Sequence, residues 1–170
     1  MTANGNDDPG LGGGDILFST PDELRRLTVA LAGQARRHLD IVSRALMPSV
    51  YADPEFIAVA KRLALSKRGQ IRIIVLNPEA LIAQDGHRLV ELAMRVSSHM
   101  QIRRPGPDHL DFNEALLLAD RLGIIHCKLS DRYDGVANFR APQRAAELAE
   151  RFAALWENAA LIPHFRRLML

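Results

Sequence analysis

The chain of 170 residues is short of several residue types, and each shortage narrows what it can be. It has one cysteine, Cys127, so no intrachain disulfide can form. The expected setting is a reducing compartment, the cytoplasm. Cys127 sits in the apolar-flanked run Ile124-Ile125-His126-Cys127-Lys128, which reads as a buried structural thiol. Aromatic residues make up 5%, with one tryptophan. Few of them stand among the basic clusters, which argues against a platform for stacking single-stranded bases. No stretch approaches the ~18 consecutive apolar residues that would span a bilayer. The N-terminus lacks the basic and apolar regions of a signal peptide. Walker A, GxGxxG and GxSxG patterns are missing, as are HExxH-like and Cys/His ligand spacings, so neither a cofactor nor a metal is expected.

What remains is ordinary for one globular domain. Hydrophobic residues are 48% and charged residues 25%, with a net charge of +2 and a pI near 9.0. That mildly basic balance permits an anionic partner without requiring one. Residues 1–17 are rich in Gly, Asn and Asp and read as a disordered tail, with order expected over residues 18–170. Thr20-Pro21-Asp22-Glu23 is a capping box that starts a helix running to about His38. A strand follows over residues 39–43. Asp53-Pro54 starts a second helix that Gly69 closes. The β-branched run at residues 71–76 predicts a central strand covered on both faces. A helical segment broken near Gly86 leads to a strand at residues 100–103, and Arg104-Pro105-Gly106-Pro107-Asp108 is a loop. Residues 114–119 and 123–129 read as a hairpin, with a third strand at residues 136–139. Pro142 opens the last long helix, whose apolar stripe includes Phe152 and Trp156. The order is α/β, a mixed β-sheet flanked by helices on both faces.

One stretch carries a resemblance. Phe112-Asn113-Glu114-Ala115-Leu116-Leu117-Leu118-Ala119-Asp120 is an apolar run closed by an acid. A hairpin-like return follows, then Gly135-Val136-Ala137-Asn138-Phe139. The frame resembles the active-site strand of phospholipase D-like domains. There the strand reads His, any residue, Lys, four residues, Asp, and a Gly-Ser-x-Asn-type turn follows. Here those positions hold Asn113, Ala115 and Asp120, and the turn reads Gly135-Val136-Ala137-Asn138. The order of helices and strands over about 140 residues and the closing Phe152-Ala153-Ala154-Leu155-Trp156 are similar as well. The chain also resembles a bacterial domain found alone or fused behind GNAT-type acetyltransferases.

The resemblance implies one phospholipase D-like domain that has lost the His and Lys of its motif. In the family a His attacks phosphorus and the Lys neutralises developing charge on the phosphoryl oxygens. Asn113 cannot act as that nucleophile and Ala115 brings no charge. The implied function is a non-catalytic module that binds a phosphate-bearing ligand or a partner protein, regulatory if paired with an acetyltransferase. Asn113, Asp120, Asn138 and His109 are its candidate ligand-binding residues. Asp120 also fits an ordinary turn residue, and His109, with Asp108 and Asp111, also fits a solvated loop. The Arg-rich pairs at 25/26, 36/37, 67/68 and 103/104 form either a nucleic-acid or phosphate face or solvated helix surfaces. The alternative is an active phosphodiesterase or nuclease acting as a homodimer. It would use His126 and Lys128, which share one strand face.

Overall fold

A computed structural model describes residues 13–167. The strands are β1 (Ile16–Phe18), β2 (His38–Ser43), β3 (Gln70–Val75), β4 (Met100–Arg104), β5 (Ala115–Ala119), β6 (Gly123–Cys127), β7 (Gly135–Asn138) and β8 (Ala160–Leu161). The helices are α1 (Pro21–Gln34), α2 (Pro48–Tyr51), α3 (Pro54–Leu65), α4 (Pro78–Ile82), α5 (Arg88–Arg95), α6 (Pro142–Glu157) and α7 (Pro163–Arg167). All eight strands join one sheet in the order β1-β7-β6-β5-β2-β3-β4-β8. β2, β3 and β4 run parallel, and β5, β6, β7 and β1 follow as antiparallel neighbours on the other side of β2. The sheet is mixed, as the sequence predicts.

Local chemistry accounts for the elements. The Thr20 hydroxyl accepts from the Glu23 amide at the start of α1, and the Asp53 carboxylate accepts from Glu55 and Phe56 at the start of α3. Both helices carry Pro in the first turn, where no amide hydrogen is needed. α1 stops at Gln34, short of the expected His38. The next amides leave the helical ladder and point at Asp120. The β5–β6 turn has Asp120 and Arg121 at φ +53° and +57°, with the Leu122 amide bonded to the Ala119 carbonyl at 3.0 Å. This primed turn matches the twist of a hairpin.

Alternation along the strands sends side chains into two cores. Leu39, Ile41, Ile73, Leu117, Ile125 and Cys127 pack under α1 to α5. Val42, Ile74, Leu116, Leu118 and Ile124 pack under α6. Order begins earlier than expected: β1 starts at Ile16, two residues before Phe18. The Asn138 amide secures the segment ahead of it, donating to the Gly13 carbonyl and to Asp15 at 2.9 and 2.8 Å. The remainder of the expected tail, residues 1–12, lies outside the described residues, as do residues 168–170.

The reading of Gly135-Val136-Ala137-Asn138 as a turn gives way to the strand reading, since this segment is β7. Gly135 is required there for close approach: a Cβ would lie 2.4 Å from the His126 carbonyl oxygen. Trp156 is half-buried against the core that α6 covers, with the guanidinium of Arg103 at 4.2 Å and that of Arg72 at 5.6 Å from its ring centroid. The fully buried aromatic of α6 is Phe152, stacked on Trp156. Phe152→Ala should cost about 3–5 kcal/mol, and Trp156→Ala clearly less, because a half-exposed ring leaves less of a void. Urea unfolding checks this, and a larger loss for Trp156→Ala would contradict it.

Candidate functional site

β5 runs antiparallel to β2, so the end of β2 and the start of β5 lie at the same edge of the sheet. The chain diverges there, and a cavity of about 230 Å³ opens. Its walls come from Leu24 of α1, Tyr51 of α2, Ala115 of β5, Ile125 and Cys127 of β6, and the loop after β2. Ala115 and Cys127 are directly paired across β5 and β6, so two small side chains face the same space. The rim carries Ser43, Arg44, Ser130, Asp131, Arg132 and Tyr133.

The rim is built with care on the β2 side. Leu46 adopts φ +52°, an uncommon conformation for a branched side chain. It is held by Ser43 Oγ, which accepts from the Leu46 amide at 3.0 Å. Buried His87 donates from Nε2 to the Leu46 carbonyl at 2.7 Å, while its Nδ1 accepts from Leu89. Gln84 donates to the Ala45 carbonyl, and the Asn77 amide donates to that of Arg44. Arg44 therefore stands on a fixed backbone. Across the opening, Asn113 and Ser130 tie the ends of β5 and β6 together through the Ser130 amide and hydroxyl.

The titratable groups inside the cavity are neutral. Burial, helped by the charge of Asp134, pushes the Cys127 thiol up to about 11. Burial, then Cys127, raises the Tyr51 hydroxyl well above its ordinary value. A buried thiol of that kind is a poor nucleophile, and Tyr51 stays a donor. Guanidinium groups and hydroxyls can hold an anion here, and the cavity wall offers no general base.

The four candidate ligand-binding residues do not converge. Asn113 adjoins the cavity through its bonds to Ser130 on the rim. Asp120 follows the far end of β5, about 17 Å from Ala115 at strand spacing. Its carboxylate accepts from the amides of Arg36, Arg37 and His38 at 2.7, 2.9 and 2.8 Å. Asn138 is buried at that distant end, opposite Ile124, and serves the N-terminal segment. His109 lies in a single 3-10 turn, Pro107–His109. The residues sequence reasoning missed are Ser43, Arg44, Tyr51 and Arg132. Their one available signal was position, since ligands favour the carboxyl ends of parallel strands.

His126 and Lys128 occupy the other face of the sheet. His126 is paired with Leu116 and Val136, on the side of α6. Its Nε2 meets Glu114 at 2.7 Å, and Glu114 also binds Arg151. Burial and the charges of Lys128 and Arg144 lower the imidazole pKa. The neutral ring then donates to Glu114. Both His126 and Lys128 line an open groove with Leu17, Leu129 and Val136. The arginine pairs are divided too: Arg25 binds Asp22 on α1, whereas Arg103 stacks on Trp156 beneath α6. Among the described residues no three His, Cys, Asp or Glu side chains gather as metal ligands. No helix among them is long and apolar enough to cross a membrane.

Two expectations follow. Asp120→Ala removes the acceptor for three amides and should cost about 2–4 kcal/mol in urea unfolding, leaving the distant cavity intact. A loss under about 0.5 kcal/mol would show that water replaces the carboxylate. A histidine whose folded pKa is depressed favours the folded state above its unfolded pKa of 6.5, and that contribution is lost as pH falls through the folded value. The urea midpoint should therefore fall between about pH 7 and 5, less steeply in His126→Gln. Equal slopes would count against a depressed pKa.

Solved structures share the fold. TrmBL2, an archaeal chromatin protein with a novel mode of DNA binding, superposes with a TM-score of 0.62 at 12% identity, over 87% of this chain and 54% of that one. This chain thus spans about half of TrmBL2. Nuc from Salmonella typhimurium, a phospholipase D family member, gives 0.57 at 13% identity, over 86% and 96% of the two chains. NucT from Helicobacter pylori gives 0.58 at 13% identity, over 88% and 99%. At such identities the likeness establishes the fold, which is that of the phospholipase D family. No curated protein matches the sequence. The family described as a domain of unknown function (DUF7931) matches residues 20–168, nearly all of the chain, and the protein belongs to it.

Proposed function

We propose that the protein is a non-catalytic module of phospholipase D fold that binds a phosphate-bearing ligand in the cavity between β2 and β5. The observation that carries this reading is the pairing of an arginine and hydroxyl rim with Asn113 and Ala115 at the start of β5. Arg44 and Arg132 offer charge-assisted hydrogen bonds to phosphoryl oxygens. Arg132 also lies 3.3 Å from Asp134, an exposed pair weak enough to yield to a ligand. Asn113 and Ala115 supply neither the nucleophile nor the cation of the family's motif, which supports a non-catalytic reading. The DNA binding ascribed to TrmBL2 fits a fold suited to phosphate.

A second reading has one observation in its favour. Glu114 orients His126 beside Lys128 in an open groove, as a general base or nucleophile would need. The groove, however, lies on the opposite sheet face from Asn113 and Ala115, and Glu114 is shared with Arg151. Homodimer formation and a link to acetyltransferases rest on the sequence resemblance alone.

Calorimetric titration with inorganic phosphate should show binding that Arg44→Ala weakens about tenfold. Bis(4-nitrophenyl) phosphate should not be hydrolysed. Absence of phosphate binding would sink the proposal. Hydrolysis that disappears in His126→Ala would establish the second reading in its place.

A further inference from the structure

We infer that the cavity takes a phosphate monoester whose organic group is compact and apolar, an inference that rests on the phosphate-binding reading above. The two ends of the cavity differ in exposure and in chemistry. Leu24, Tyr51, Ile125 and Cys127 are buried, at 8%, 8%, 3% and 2% exposure. Arg44 and Arg132 at the rim are exposed. A ligand with its charge at the rim therefore places whatever the phosphate carries against hydrocarbon, one thiol and one phenol.

That environment discriminates. A sugar or a base entering the inner end would lose water from several polar atoms and find the Tyr51 hydroxyl and the neutral Cys127 thiol as its partners. Buried donors and acceptors left unpaired are costly. An aryl or short alkyl group loses nothing and gains from leaving water. Size acts in the same direction, because about 230 Å³ is below the usual ~300–1,000 Å³ of ligand pockets. Ala115 and Cys127 create this room by being small, and they face it as a directly paired couple. The head group follows from the donors. With Asp131 at the rim and Asp134 paired to Arg132, the two guanidiniums serve a monoester as Arg132 exchanges its exposed carboxylate partner for phosphoryl oxygens.

The test compares three ligands by calorimetry on the whole chain at neutral pH: inorganic phosphate, phenyl phosphate and ribose 5-phosphate. Phenyl phosphate should bind about tenfold tighter than inorganic phosphate, or better. Ribose 5-phosphate should bind no tighter than inorganic phosphate. Ala115→Phe fills the inner end and should abolish the phenyl gain, read as the ratio of phenyl phosphate to inorganic phosphate affinity in the same variant. If that variant fails to melt cooperatively, Ala45→Leu fills the same space from the loop after β2. Equal affinity for phenyl and inorganic phosphate overturns the inference and leaves the phosphate reading standing. So does a phenyl gain that survives in the filled variant. Failure of all three ligands to bind overturns both.

Discussion

The junction of β2 with β5 is the contact on which the molecule turns. On one side of β2 the sheet is parallel, on the other antiparallel, and the chain reaches the two sides through different connections. A register of Leu39 with Ala119, Ile41 with Leu117 and Val42 with Leu116 places alternate β5 side chains in the two cores. A slip of one residue would exchange those faces, moving Leu117 under α6 and Leu116 into the other core. Asp120 guards against that slip. One carboxylate gathers three amides from the turn before β2, and the Asp120 amide donates to the His38 carbonyl at 2.9 Å. The distant end of the strand pair is thereby pinned, and the cavity end inherits its alignment.

The same junction separates two polar sites that share neighbouring strands. The face under α1 to α5 holds the cavity, with buried neutral groups inside and cations at the edge. The face under α6 holds the network of Glu114, His126 and Arg151. Alternation along β5 and β6 makes the division: Ala115 and Cys127 point one way, Glu114 and His126 the other. Glu114 beside an imidazole and a guanidinium is satisfied as it stands, so structural and chemical roles compete for the same atoms. In the cavity the guanidinium of Arg44 sits on a loop that Ser43, Gln84 and His87 have fixed from three directions. Fixing the backbone beforehand lowers the ordering cost of binding an anion.

Much of the fold was legible because its signals are local. Thr20 and Asp53 announce α1 and α3 with a cap followed by Pro, and both carboxyl and hydroxyl caps are made. The continuous apolar run of β3 reflects burial on both faces. What the sequence hid depends on distant partners. Nothing near residue 35 tells α1 to stop, because the acceptor for the next amides is Asp120, 84 residues from Arg36. β1 and β8 are too short to carry a period, and α2 spans four residues. The cavity was missed for a similar reason: Arg44 and Arg132 look like solvated residues until folding brings two loops together. The motif frame falls on β5 to β7, and of its residues Asn113 bonds Ser130 on the cavity rim. The side chains of Asp120 and Asn138 instead hold backbone groups at the other end of the sheet.

That mixture has a physical logic. Asp120, Gly135 and Asn138 hold geometry: a three-amide acceptor, a close approach to the His126 carbonyl, and an anchor for β1. Positions of this kind are costly to change whatever the protein does, since each substitution removes hydrogen-bond partners or forces backbone apart. Ala115 is only partly buried and borders the cavity, so its side chain has room that those positions lack. A lysine at 115 would project a long cationic chain between Tyr51 and Cys127, and would need water or an anion to remain charged there. An alanine leaves that volume empty and apolar. In the proposed reading, the lack of a charged side chain at 115 and the compartment for an apolar group have one cause, because a long side chain there would fill the inner end of the cavity.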